Sequence, residues 1–318
     1  MSRTTLFRSG LVLLAWLMLL TFPQWSAAWE SSRFAAGIIR QILIFAIFAS
    51  SLNLLVGYVG LPSLGHAAFF GGGAYAAAIA AQRFATDQLA VSLVAGILGA
   101  ALLALLIGVL AVRANGIFFL MLTLALAQMV FALTYQATDL TGGPNGFSGV
   151  HRPVLFGLDL GAAGDLYVLV CVVFLAVMVA LWRITTSSYG RVLIGLRENE
   201  RRMRALGYDT RTLKLSAFVL AGAIAGIAGA LSSYEFRFVS PNDVAFGTSV
   251  TAFVMVLIGG AGTLVGPIVG AAAVLLIERA LPSQIPAQIV LGVVFILFVV
   301  FARQGIVGAA RRLARTLS

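Results

Sequence analysis

Charged residues are so sparse that they cut the chain into long apolar blocks. Runs free of Asp, Glu, Lys and Arg cover 9–29, 41–82, 88–112, 114–138, 166–182, 215–234, 244–277 and 280–302. A charge at the bilayer centre is costly, so such runs mark where the chain can enter lipid. A spanning helix needs about 20 residues, which gives one pass to each of six blocks and two to 41–82. As a single helix the 244–277 block would be about 51 Å long, well beyond a hydrocarbon core of about 30 Å. Gly259, Gly260, Gly262, Gly266 and Pro267 interrupt it, and the pattern predicts two short passes or a re-entrant pair. The runs lack the period-two alternation of barrel strands. The predicted fold class is therefore all-α: one polytopic membrane domain over 1–318, with about ten membrane-entering helices.

Composition narrows the function. The chain is 61% hydrophobic and 10% charged, whereas soluble domains carry about 25% charged residues, which excludes a water-soluble enzyme. With one cysteine, Cys171, and two histidines, His66 and His151, neither a thiolate cluster nor an imidazole metal site is expected. No cofactor is expected either. The sole lysine, Lys214, stands between Leu213 and Leu215, so no P-loop exists and any driving force is expected to enter from elsewhere. H-E-x-x-H and G-x-S-x-G motifs are absent, which argues against a membrane-embedded enzyme. No acid or base falls deep within a predicted pass, whereas ion-coupled carriers commonly use intramembrane carboxylates. An ion-coupled secondary carrier remains the rival class.

Charge also gives an orientation. Alternating the ten segments places fifteen of the 21 basic residues on one side, including all eight between Arg183 and Lys214. The other side receives Arg33, Arg40, Arg83, Arg152, Arg237 and Arg279. The positive-inside rule makes the first side cytoplasmic, with both termini there. The net charge of +10 is thus a topology signal, and no nucleic-acid partner is expected. Residues 9–29 also resemble a signal peptide ending near Ser26, Ala27 and Ala28. Trp25 and Trp29, as interfacial anchors, favour an uncleaved first helix.

Two features stand out within this frame. The runs Gly57 to Gly73, with Pro62, and Gly259 to Gly270, with Pro267, both interrupt long apolar blocks. Paired breaks of this kind point to internal repeats with unwound helices beside a transport pathway. Gly222, Gly226 and Gly229, like Gly266 and Gly270, form small faces suited to helix packing. The polar residues inside the blocks, Asn53, Ser63, His66, Thr123, Gln128 and Thr251, are candidates either for lining a pathway or for bonding a neighbouring helix. The second feature is the segment 183–214, with eight basic and three acidic residues. Ser187 or Ser188 is placed to cap a helix with Val192, Leu193 and Leu196 on one apolar side. Asn199 is placed to cap a second helix carrying Glu200, Arg201, Arg202, Met203 and Arg204, with Gly207 stopping it and Met203 and Leu206 sharing a face. The expected result is a pair of amphipathic helices, read either as a solvated loop that only fixes topology or as a docking surface for a cytoplasmic partner.

These residues resemble the branched-chain amino acid ABC transporter permeases. The likeness runs through Leu52 to Tyr58, Ser63 to Ala67, Gly71 to Tyr75, Gly116 to Phe119, Thr123 to Ala125 and Thr141 to Gly146. It continues in Ser188 to Arg191, Arg197 to Glu200, Ala205 to Gly207, Lys214-Leu215, Ala217-Phe218, Ala221 to Ala230, Ile258 to Thr263 and Gly266-Pro267. The order and spacing of these motifs, from about residue 41 to 300, make the likeness specific. The resemblance implies the M-type permease of a heterodimer in the bacterial inner membrane, in contact with membrane lipid. A second permease subunit, two cytoplasmic ATPase subunits and a periplasmic substrate-binding protein would be its partners. Arg197, Glu198, Asn199, Glu200, Arg201, Arg202 and Gly207 would belong to the element that docks on the ATPases, although the Pro that ends the wider importer motif is missing here. The loop with Thr141 to Gly146 would face the binding protein. Related permeases carry urea or short amides, and no residue here separates those cargoes.

Overall fold

The computed structural model describes residues 31–83, 89–150, 154–155, 158–159, 163–281, 290, 292–293, 296 and 305–308. The predicted pass 9–29 with its signal-peptide alternative, and most of 280–302, lie outside these residues. Within them the chain is helical. Its helices are α1 (Ser31–Asn53), α2 (Ala67–Arg83), α3 (Leu89–Ala111), α4 (Ile117–Gln136), α5 (Ala163–Thr186), α6 (Ser188–Glu198), α7 (Glu200–Ala205), α8 (Thr210–Phe236), α9 (Phe246–Gly259) and α10 (Gly266–Ala280). A π-helical turn, Leu54–Val59, extends α1. The strands are two residues each: β1 (Phe147–Ser148) pairs antiparallel with β4 (Phe238–Val239), and β2 (Val154–Leu155) with β3 (Leu158–Asp159).

Among the described residues five helices are long and apolar enough to cross a membrane: α1 with its π turn, α3, α4, α5 and α8. They divide into inner and outer members, since 83% of the apolar stretch of α1 and 67% of that of α8 is buried, against 28%, 22% and 33% for α3, α4 and α5. The outer helices expose large apolar side chains such as Leu98, Leu102, Leu106, Phe118, Met129 and Val172. In water this would be untenable; in lipid it is the expected outer face.

Small residues bring α3 close against α8 and α2. On α3, Ser92, Gly96, Ala100, Ala104 and Gly108 are buried at every fourth position, and they meet the Gly222, Gly226 and Gly229 face of α8 and its neighbours on α2. Gly96 lies against Ala230 while Gly108 lies against Leu215 and Phe218, so α3 and α8 run antiparallel. A chain of rings, Phe48 to His66 to Phe69 to Phe218 to Phe119, with centroids 5.3 to 5.9 Å apart, ties α1, α2, α8 and α4 into one core.

Both predicted breaks are real. The 41–82 block splits at 60–66 and the 244–277 block at 260–265. The first break is more than a turn. The amide of Ala67, at the start of α2, donates to Ser249 Oγ in the first turn of α9 at 2.9 Å, and Gly71 backs onto Asp243 and Val244. Residues 60–66 therefore run as non-helical backbone alongside helices, and 237–245 as a strand residue pair and one short 3-10 turn, forms tolerated at membrane depth only where protein or a cavity surrounds them.

The charge-free blocks misjudge two ends. Helix α1 begins at Ser31, ten residues before the block, and α8 runs through Glu235. Arg40 and Glu235 are both buried and form a two-pronged ion pair, with Nε to Oε2 at 2.6 Å and Nη2 to Oε1 at 3.0 Å. A charge whose partner is 195 residues away looks from the sequence like a boundary, because only the folded chain shows that it is neutralised.

Candidate functional site

The two helix breaks meet. Asn53, the last residue of α1, is buried, and its amide spans the α9–α10 turn: Nδ2 donates to the Thr263 carbonyl at 2.9 Å and Oδ1 accepts from the Gly262 amide at 2.8 Å. Gly57 lies directly on the Gly262 backbone, where a side chain at either position would push the segments apart. Thr263 closes its own turn, donating to the Gly260 carbonyl at 2.9 Å and accepting from the Gly266 amide at 3.0 Å. Gly262 sits at φ +79°, a left-handed conformation that a side chain would resist.

Arg197 of α6 enters this junction. Its Nη1 donates to the Gly57 carbonyl and lies beside Gly262, while its aliphatic stem covers Gly60. The π turn leaves backbone carbonyls without their usual helical partners, and the guanidinium takes one of them. A side chain from the basic segment thus touches both broken helices at once.

The basic segment folds as two capped helices. Ser187 Oγ accepts from the Gly190 amide at 3.3 Å and Asn199 Oδ1 from the Arg202 amide at 3.0 Å. Leu193 and Leu196 are buried beneath α6, as the periodicity predicts. Met203 and Leu206, expected on one face, part company: Met203 is buried and Leu206 is 67% exposed. The reason is that α7 ends at Ala205 and Gly207 turns left-handed at φ +87°, so Leu206 lies beyond the helical period.

Charges hold α7 in place. Glu200 Oε1 accepts from Arg204 Nη2 at 2.6 Å and from Lys214 Nζ at 2.8 Å. Lys214, the fifth residue of α8 and itself buried, also donates to Asn115 Oδ1 in the α3–α4 turn at 2.7 Å. Arg204 Nε reaches Thr210 Oγ1 at 3.1 Å. Burial alone would raise the Glu200 carboxyl, but the Lys214 and Arg204 contacts outweigh it and hold it below the usual carboxylate value. Outward, Glu198, Arg201, Arg202, Leu206 and Tyr208 are exposed.

The structure distributes the sequence candidates unequally. Arg197 reaches into the junction while much of its surface stays exposed, and half-buried Glu200 faces α8. Ser63, His66 and Thr123 are each fully buried. His66 is fully buried and shares a hydrogen bond with Ser51 at 2.8 Å. Thr123 bonds its own helix at Leu120, and its carbonyl backs onto Gly65. Ser63 Oγ and His66 Nδ1 are buried and unpartnered among the described residues. Gln128 is exposed on the far face of α4, and Thr251 is half-buried and bonds the Gly247 carbonyl at 3.1 Å. These six do not line one continuous surface of this chain. Lys214, Asn115 and Arg204 were not among the sequence candidates, although a sole lysine beside an acid-bearing capped helix was a visible signal. Among the described residues no three His, Cys, Asp or Glu side chains gather as a metal site.

Comparison with known proteins agrees with this architecture. A family model described as the branched-chain amino acid transport system permease component matches residues 34–302. The high-affinity branched-chain amino acid transport system permease protein LivM of Escherichia coli K12 is 29% identical over 305 residues, covering 88% of this chain and 71% of that protein. A probable LivM of Methanocaldococcus jannaschii is 26% identical over 262 residues, covering 71% and 75%. The autoinducer 2 import system permease protein LsrC of Yersinia pseudotuberculosis is 27% identical over 192 residues, covering 55% and 52%. No solved structure matches. A bundle with lipid-compatible outer helices, broken inner helices and a charged capped segment keyed into the breaks is what a permease subunit needs, and the chain belongs to the permease-component family of branched-chain amino acid transport systems.

Proposed function

We propose that the chain is one permease subunit of an ATP-driven importer for branched-chain amino acids, working by alternating access in the bacterial inner membrane. Its partners in this reading are a second, different permease subunit, two cytoplasmic ATPases and a periplasmic substrate-binding protein. The basic segment faces the cytoplasm, and both termini lie on that side. The observation that carries the proposal is Arg197, which joins the basic segment to both helix breaks at the Gly57 carbonyl and Gly262.

The mechanism follows from that contact. Arg201, Arg202, Leu206 and Tyr208 form the outward, mixed apolar and cationic face that seats in the ATPases. When ATP binding closes the ATPases, α6 and α7 move with them as a capped unit. Arg197 carries the displacement to the junction, where Asn53 obliges the π turn and the α9–α10 turn to move together. Binding energy for the amino acid lies mainly in the soluble receptor, and the permease needs only a weak, transient path. Buried Ser63, His66 and Thr123, and exposed Gln128, belong to the surfaces that rearrange. Loop 137–148, pinned by β1 to β4 at the end opposite the basic segment, supports a docking place for the receptor.

Reconstitution tests the reading. The complete assembly in liposomes should take up leucine only with ATP inside and loaded receptor outside. Uptake by this chain alone under an ion gradient, without ATP, would sink it in favour of a secondary carrier. A receptor that bound urea or short amides and ignored leucine would overturn the cargo alone.

A further inference from the structure

We propose that Lys214 is a positioning residue that carries the movement of α7 into the α3–α4 turn, giving the basic segment a second route into the bundle, separate from Arg197. This rests on the coupling role just proposed. Three elements converge on one ammonium: Glu200 of α7 at 2.8 Å, Asn115 of the α3–α4 turn at 2.7 Å, and α8, which carries the lysine.

The lysine's position is costly without those partners. It lies in the second turn of α8, near the positive end of the helix dipole, where a cation is disfavoured. Its side chain is only 5% exposed, so it has given up most of its hydration. Glu200, the one carboxylate in contact with it, belongs to a different helix. Local structure therefore gives Lys214 no reason to be there; the cross-helix link does. Because Arg204 holds the same Glu200 oxygen and also Thr210, α7 cannot tilt without dragging the ammonium.

The receiving end is built to move. Asn115 precedes Gly116, which sits at φ +57° with open space around it. Beyond this turn runs α4, the least embedded of the five long helices, with 22% of its apolar stretch buried. Displacing α4 breaks less packing than displacing any other of them. Its buried edge backs onto Gly65 in the non-helical 60–66 segment, and its far end leads to β1. A pull at Asn115 thus reaches the bundle interior and the opposite end through one helix.

Hydrogen exchange on the full chain in lipid nanodiscs tests the clamp, and transport by the assembled complex tests its role. Lys214→Met should raise exchange in 199–207 and in 113–116 by about fivefold or more, the lower end of ordinary coupling, and leave 89–111 unchanged. Lys214→Arg, which keeps the charge and the reach, should restore protection. In the assembly, amino acid moved per ATP hydrolysed should fall by a similar factor in Lys214→Met and recover in Lys214→Arg. Should Lys214→Met disturb 89–111 as well, Glu200→Gln, which removes the charge and keeps the shape, should loosen 199–207 and 113–116 alone. Unchanged exchange in these segments in Lys214→Met, or no recovery with Lys214→Arg, overturns the clamp. Loosened segments with normal transport per ATP overturn the positioning role. Absence of ATP-driven uptake by the unaltered assembly would instead overturn the functional reading, leaving exchange to judge the clamp.

Discussion

At the residue scale the account depends on polar groups whose partners are far away in sequence. The Arg40 and Glu235 pair is the clearest example. Removing one member leaves a buried charge without a counter-ion, at a cost of about 3 to 5 kcal/mol, whereas replacing both by apolar residues of similar size is often neutral. Arg40→Ala should therefore lower the thermal stability of the detergent-solubilised protein sharply. The double variant Arg40→Met with Glu235→Leu should recover most of it, and a double variant as unstable as the single one would refute the pairing argument. Asn53 makes a related prediction. Asn53→Leu leaves the half-buried Gly262 amide and Thr263 carbonyl without their partner, costing about 1 kcal/mol for each. Its effect should appear as faster exchange in 260–266 rather than as loss of insertion.

At the element scale the basic segment is a capped unit, and its caps can be tested singly. Asn199→Ala should destabilise α7 by about 1 kcal/mol, read as increased mobility of a spin label at position 202; unaltered mobility would mean that tertiary contacts alone fix the helix. Acid should act on the same element. The Glu200 carboxyl is held below its ordinary value by Lys214 and Arg204. Its contribution is therefore complete above the ordinary carboxylate pKa and disappears as pH falls through the lowered one. The same label should be immobile at neutral pH and loosen only on strong acidification, and Glu200→Gln should abolish that transition.

Much of this element was legible in the sequence. Ser187, Asn199 and Gly207 announced its ends, and Leu193 and Leu196 its buried side, because capping and periodicity are local. Leu206 was misplaced because the helix stops one residue before it. Lys214 and Asn115 were missed because their link crosses 99 residues. The helix breaks were equally visible in Gly57 to Gly73 and Gly259 to Gly270. That they lock together through Asn53 was not, since nothing in either run specifies the other's position.

At the scale of the whole molecule, the ends of the bundle differ. Asn115, Arg197, Glu200 and Lys214 gather at one end, and Arg40, Gln41, Glu235 and Arg279 at the other. The charge distribution predicts that the first of these ends faces the cytoplasm. Cysteine labelling of Arg202→Cys should occur only from the cytoplasm; labelling from outside the cell would invert the topology. A rigid core of α1, α8 and the α3 packed on α8, with α4 more loosely held, is suited to conducting motion, because α4 can shift against lipid without opening the small-residue seam between α3 and α8.

The central claim is that displacement of the basic segment reaches the broken helices through Arg197. Receptor-stimulated ATP hydrolysis and leucine uptake should be measured together in proteoliposomes carrying the Arg197→Ala assembly. The account predicts that hydrolysis continues while uptake per ATP falls by about tenfold, a coupling loss of about 1.4 kcal/mol. An Arg197→Ala assembly that moves as much leucine per ATP as the unaltered one would contradict it.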